Sequence, residues 1–152
     1  MLHLVRMHRL LVAVALSLVA CGRAPPLSST PSGHQWQSEL QACPAQLAGD
    51  GSVGVSDVTL SGDSLTLTVQ HSGGCKTHEY GLCWNQSFLE SNPVQAQLRV
   101  LHQDNGDSCE AIVSNTLTFD LAGLKAAYRA GYQSQTGTVI LRIGAQSTRY
   151  EF

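Results

Sequence analysis

The chain has 152 residues, a formal net charge of −2, and 13% charged against 43% hydrophobic residues. That length carries one domain with a sizeable core, with or without a targeting segment, but not two such domains. Acidic residues are in excess and there is no basic patch, so the phosphate-neutralising surface that nucleic-acid binding needs is missing.

The chain opens with Arg6 and Arg9 and no carboxylate, and Leu10–Ala20 is apolar apart from Ser17. A positive segment followed by a short apolar one is the plan of a signal peptide, here residues 1–20. As a helix the apolar stretch would span about 16 Å, short of a bilayer core of about 30 Å. The order Leu18-Val19-Ala20-Cys21-Gly22 resembles the lipobox of bacterial lipoproteins. That resemblance implies diacylglycerol on the Cys21 sulfur, cleavage between Ala20 and Cys21, and acylation of the new amine. With Gly22 rather than Asp after the cysteine, it also implies an outer-membrane destination. The expected membrane contact is therefore lipid at the N-terminus, each buried methylene contributing about 0.8 kcal/mol. Losing residues 1–20 removes two of the nine basic residues and no acidic one, which makes the mature chain more acidic.

From Cys21 to Ser38 the chain is rich in Pro, Ser and Gly, with Pro25, Pro26 and Pro31, and reads as a flexible tether. The domain is expected over residues 39–152. A short helix is predicted around Trp36–Ala42, stopped before Pro44. From Val53 the hydrophobic period becomes two. Val53 and Val55, then after a shift Val58 and Leu60, mark a first strand. Ser61-Gly62-Asp63 turns the chain into a strand over Ser64–His71, with Leu65, Leu67, Val69 and His71 on one face. Gly73-Gly74 breaks that run.

Further strands are predicted at Glu79–Trp84, with Tyr80, Leu82 and Trp84 in phase, and at Gln95–His102, with Ala96, Leu98, Val100 and His102 in phase. Two more follow at Cys109–Asn115 and Thr116–Leu121. A helix is predicted over Leu121–Arg129, capped by Asp120 and ended by Gly131. A hairpin closes the chain: Thr138–Ile143, a turn through Gly144–Ser147, and Thr148–Phe152. The expected fold is mainly β, an antiparallel β-sandwich of about seven or eight strands with one short helix.

Once Cys21 is lipidated, Cys43, Cys75, Cys83 and Cys109 remain, an even set in an exported chain. The chemistry concentrates in HSGGCKTHEYGLCW (His71–Trp84) and HQDNGDSCE (His102–Glu110). Each block begins with a histidine at the end of an inward-facing strand and passes through a glycine-bearing turn to a cysteine. If the turns share one end of the sandwich, they gather His71, Cys75, His78, His102, Asp104, Asp107 and Cys109. The GGC-then-His and NGD-x-C elements resemble a pattern of uncharacterised exported bacterial proteins, a resemblance that implies no activity.

Three readings of these turns stay open. Disulfides Cys75–Cys109 and Cys43–Cys83 would staple the turns and tie the N-terminal segment to the sheet. Alternatively, Cys75, His78, His102 and Cys109 would form a tetrahedral zinc site, the Cys-x2-His half having good ligand spacing. Or the disulfide forms and His78, His102 and Asp104 or Asp107 hold a metal or small ligand. The Asp104–Asp107 run lacks the ligand alternation of a calcium loop.

No nucleophile elbow, zinc-protease helix, phosphate loop or dinucleotide turn is present. A catalytic Cys75 beside His78 or His102 would need an unpaired thiol in an oxidising compartment. Asp57, Asp63 and Glu90 read as solvated loop carboxylates. The expectation is a non-enzymatic envelope lipoprotein, a disulfide-stapled binding or structural module with no cofactor. The alternative is a metal-binding envelope protein that uses zinc at the Cys/His turns. The partner expected of such a module is a protein or a small molecule.

Overall fold

A computed structural model of the protein describes residues 34–35, 38–44 and 53–152. The signal segment, Cys21, most of the tether and Trp36 lie outside them. The elements in order are β1 (His34–Gln35), β2 (Gln41–Ala42), β3 (Gly54–Ser61), β4 (Ser64–Gly73), β5 (Glu79–Trp84), β6 (Val94–Gln103), β7 (Ala111–Asp120), α1 (Ala122–Tyr132), β8 (Thr138–Ile143) and β9 (Gln146–Glu151).

Two open sheets form. One runs β1/β2–β5–β6–β8–β9 and the other β3–β4–β7. β1 and β2 pair with successive parts of the same edge of β5, at His34↔Glu79 and Gln41↔Cys83, so together they fill one strand position. The mainly β, two-sheet fold with one short helix is the one expected. Its large sheet is mixed, however. β6 and β8 are parallel, because β7 and α1 lie between them in the chain and β7 joins the other sheet. The β1–β5 and β2–β5 pairings are parallel too.

The period-two segments became strands for the reason periodicity anticipates: alternate residues reach a shared core. The shift after Val55 is a bulge, where the β3–β4 register slips between Val55 and Asp57 and returns Val58 and Leu60 to the inner face. Gly62, at φ +58°, opens the two-residue loop between β3 and β4 and supplies the positive φ that matches strand twist. The core joins Leu65, Leu67 and Val69 of β4 and Leu117 and Phe119 of β7 to Leu82, Ala96, Leu98, Val139, Leu141 and Tyr150 of the other sheet. Leu121 and Leu124 close one end.

Four local expectations are corrected. Gln41–Ala42 is strand, not helix. The Cys43–Cys83 disulfide and a bond from Cys43 N to the Trp84 carbonyl (3.0 Å) hold this segment along β5. Pairing already begins at His34, inside the span read as tether. The two strands expected between Cys109 and Leu121 are one. No turn residue interrupts Asn115–Thr116, and β7 pairs with β4 from Ala111 to Asp120. Helix α1 runs past Gly131 to Tyr132 and ends on Gln133 in the left-handed conformation (φ 53°), whose side-chain amide bonds the Ala130 carbonyl. Asp120 does serve the helix start, accepting from Ala122 N at 2.7 Å.

Asp63 is no solvated carboxylate either. It accepts from Tyr150 Oη at 2.7 Å, pairs with Lys125, and so clamps the β3–β4 turn to α1 and β9. Its pKa is lowered chiefly by the Lys125 bond, while burial raises that of Tyr150.

Both expected disulfide pairings are present, Cys43–Cys83 and Cys75–Cys109, separated by 40 and 34 residues. Loops of that size contribute about 3–4 kcal/mol each in the chain-entropy model. Alkylation of the unreduced, denatured mature domain should therefore label none of these four cysteines, and mass spectrometry reads this directly. Leu67, with no exposed surface, packs at the centre of the smaller sheet. Leu67→Ala should cost about 2–5 kcal/mol in urea unfolding.

Candidate functional site

The inward rails of four strands each turn polar at the end away from α1. On β4, Leu65, Leu67 and Val69 lead to His71. On β6, Ala96 and Leu98 lead to His102. On β5, Leu82 leads to Tyr80 and then to His78 just before the strand. On β7, Phe119 and Leu117 lead to Asn115. Tyr80 sits directly opposite His102 in the β5–β6 register. His71, His78 and His102 are all buried, at 6%, 4% and 3% exposure. Their rings lie against one another: His71–His78 (4.2 Å between centroids) and His78–His102 (5.0 Å) are stacked, and His71–His102 (4.7 Å) is tilted.

Two ring nitrogens face oxygen atoms that can only accept, and these nitrogens must carry protons. His71 Nδ1 donates to the Ser72 carbonyl at 2.8 Å, so its Nε2 is a bare acceptor. That nitrogen accepts from Tyr80 Oη at 2.5 Å, and Asn115 Nδ2 donates to the same phenol at 2.9 Å. His78 Nε2 donates to Asp107 Oδ2 at 3.1 Å, and its Nδ1 shares a hydrogen bond with His102 Nε2 at 2.8 Å. Burial pushes the Tyr80 phenol up to about 12, so it remains a proton donor at neutral pH.

Asp107 anchors the cluster. Its Oδ2 accepts from the backbone amides of Gly74, Cys75 and Lys76, each at 2.9 Å, and its Oδ1 from Cys109 N at 3.0 Å. Its side chain has no exposed surface. These amides, Cys109 N first, together with the His78 bond, hold its pKa well below the usual carboxylate range. Gly73 permits the approach. A Cβ there would sit 2.7 Å from the His78 ring and 3.1 Å from Asp107 Oδ2.

Of the residues expected to meet, His71, Cys75, His78, His102, Asp107 and Cys109 do so. The zinc set of Cys75, His78, His102 and Cys109 is not what forms, because the disulfide takes both sulfurs and leaves no thiolate. The ligand atoms that converge are imidazole nitrogens: one each from His71, His78 and His102 lie within 4.8 Å of one another. Asp104 is turned to its own loop, accepting from Gly106 N at 2.8 Å. Tyr80 and Asn115 were not anticipated as site residues. The available signal was phase, since both fall on the inward rail of an otherwise apolar strand.

No family model and no curated protein matches this chain. Among solved structures it is similar to a protein of unknown function from Bacteroides vulgatus, with 16% identity and a TM-score of 0.46 over 79% of this chain and 56% of that one. It is also similar to a candidate lipoprotein from Bacteroides fragilis, with 10% identity and a TM-score of 0.47 over 78% and 69% of the two chains. A third is a candidate toxin-related protein from Parabacteroides distasonis, with 14% identity and a TM-score of 0.41 over 75% and 59%. The chain thus spans little more than half the length of the first and third.

The depressed Asp107 pKa gives a signed pH dependence. Its contribution to stability is complete above the ordinary carboxylate value of about 3.9 and is lost as pH falls below it. In metal-free protein, the stability gap between wild type and Asp107→Asn should be wide and flat from pH 7 down to about pH 4.5 and begin to narrow only as pH falls through about 3.9 towards pH 3. A constant gap in urea unfolding across that range would show that the charge is not what the amides hold.

Proposed function

We propose that the mature chain is a non-enzymatic, lipid-anchored envelope protein that binds a divalent transition-metal ion through His71, His78 and His102. The observation that carries this reading is the pairing of convergence with outer support. Three ring nitrogens face one another, while the far nitrogen of His78 is tied to a carboxylate and that of His71 to a backbone carbonyl. Metal-ligating histidines have this outer-shell arrangement almost without exception, because it fixes ring orientation and tautomer.

The distances suit an ion. Two nitrogens bound tetrahedrally at about 2.0–2.1 Å from zinc stand about 3.3 Å apart. His78 Nδ1 and His102 Nε2 are at 2.8 Å and need open only slightly. The ion would replace the His78–His102 and Tyr80–His71 hydrogen bonds, the proton between His78 Nδ1 and His102 Nε2 moving to the far nitrogen of His102 or leaving to solvent, and it enters rings already oriented. Three neutral imidazoles with no hard oxygen ligand favour zinc or copper over magnesium or calcium.

Support for the non-enzymatic part comes from the small site. The recess beside His71, Lys76, His78 and Tyr80 has about 160 Å³ of empty volume, small beside the roughly 300–1,000 Å³ of ordinary ligand pockets. The envelope location rests on residues 1–22 and their likeness to a lipobox. Among the described residues no helix is long and apolar enough to cross a membrane.

A competing reading is a purely structural clasp. It draws on the finding that no buried side-chain nitrogen or oxygen among the described residues lacks a partner. Calorimetric titration of the oxidised mature domain with zinc decides between them. Binding of one equivalent is expected, with about 2.7 kcal/mol of added stability at a hundredfold excess over Kd. His102→Ala should abolish it. An absence of binding in folded wild type would leave the clasp.

A further inference from the structure

The disulfide beside the histidine set differs from its counterpart in one respect that matters chemically. Cys75 is exposed and Cys109 half-buried, whereas Cys83 of the other pair has no exposed surface. A soluble reductant therefore reaches Cys75–Cys109 first. The sulfurs of Cys75 and Cys109 and a carboxylate oxygen of Asp107 also lie within 4.8 Å of one another, a second group with metal-ligand spacing. This group abuts the first, since Asp107 Oδ2 is itself bonded to His78 Nε2.

We infer that Cys75, Cys109 and Asp107 form a redox-gated, sulfur-containing metal site that opens when the Cys75–Cys109 bond is reduced and draws the ion away from the three imidazoles. The inference rests on the metal-binding reading above for its second half, the transfer, and on the sulfur geometry for its first.

Two features make the gate workable. The loops carrying the cysteines are joined independently of the disulfide. Lys76 Nζ donates to the Asn105 and Gly106 carbonyls at 2.9 and 2.8 Å, and Asn105 Nδ2 donates to the Thr77 carbonyl at 2.8 Å. The thiols therefore stay near each other after the bond breaks. In addition, the amides of Cys75 and Cys109 are two of the four that cradle Asp107. Freeing the two residues loosens the cradle, unseats His78 and weakens the histidine set while sulfur ligands appear.

The chemistry balances with a dithiol as reductant. It delivers two electrons and two protons, the S–S bond breaks to two thiols, and the dithiol closes to its own disulfide. Each thiol then releases its proton on binding the ion, and thiolates are ligands that zinc-class ions favour.

The test uses the mature chain with Co2+ as the probe, before and after treatment with a dithiol, with circular dichroism confirming the fold throughout. The oxidised protein is expected to bind Co2+ without a thiolate-to-metal charge-transfer band. After mild reduction the band should appear, with alkylation labelling Cys75 and Cys109 and sparing Cys43 and Cys83. Cys75→Ser/Cys109→Ser should show no band under reduction and bind Co2+ at the histidines about 10–100-fold more weakly than the oxidised wild type, its outer support having been loosened. A folded, reduced wild type without the band overturns the sulfur site, as does first opening of Cys43–Cys83. If the oxidised protein binds no Co2+ but the reduced one shows the band, the sulfur site stands. The three-histidine reading, and with it the transfer, then falls.

Discussion

Everything at the polar end of this sandwich depends on where one carboxylate is placed. Asp107 accepts four backbone amides and an imidazole with no side-chain surface left to water. A carboxylate without such partners would be far too costly to cover. The amides come from two stretches, residues 74–76 and residue 109, which belong to the connections after β4 and after β6. By binding both, Asp107 fixes the distance between the loops. Its bond to His78 Nε2 orients that ring and so presents Nδ1 to His102. A single ionised group thereby sets loop geometry and the orientation of the His78 ring. The disulfide between Cys75 and Cys109 covalently ties the same junction.

The rest of the fold brings the histidines to that junction. β4 pairs with β7 over ten residues without a break in register, and β5 pairs with β6 from Glu79 to Trp84. Side chains two residues apart therefore stay on the same face along the whole length of each strand. The apolar core and the histidine cluster are consecutive stretches of the same rails. A one-residue slip in β4 would turn both Leu67 and His71 outward together. The opposite end is closed differently, by Leu121 and Leu124 and by the clamp of Asp63 on Lys125 and Tyr150. The sandwich thus has one end closed by a helix and one end closed by polar chemistry.

Most of this was legible in the residues, for identifiable reasons. Alternation located β3 to β6 and the final hairpin, because strands with one buried face leave a period-two imprint. The bulge in β3 showed as the phase shift after Val55. The convergence of His71, His78, His102 and Asp107 was readable from two similar blocks, each placed at a strand end. What escaped was non-local. Gln41–Ala42 has no strand pattern of its own and is held by Cys43 and the edge of β5. The length of β7 depended on pairing with β4, not on any signal at Asn115–Thr116. The surroundings of His78 were not legible for a chemical reason. Cys-x2-His spacing drew His78 towards Cys75, whereas the His78 ring meets Asp107 on one side and His102 on the other. Asp63 was misread because its partners, Lys125 and Tyr150, are 62 and 87 residues away.

The composition of the polar end has an energetic consequence. Buried polar networks are stabilising only when every member is satisfied, and apolar side chains of similar volume usually serve a core at least as well. Leu, Val or Phe at positions 71, 80, 102 and 115 would continue the core without any such requirement, yet all four strands turn polar at the same level. A departure from local consistency that recurs on four strands and converges in space is the kind that marks a working site. The recess beside the cluster is also small, with about 160 Å³ of empty volume. The partner proposed for this cluster is accordingly one small enough to sit between ring nitrogens already in contact. A bare cation meets that description, and a carboxylate held in place by backbone amides provides the outer support it would need.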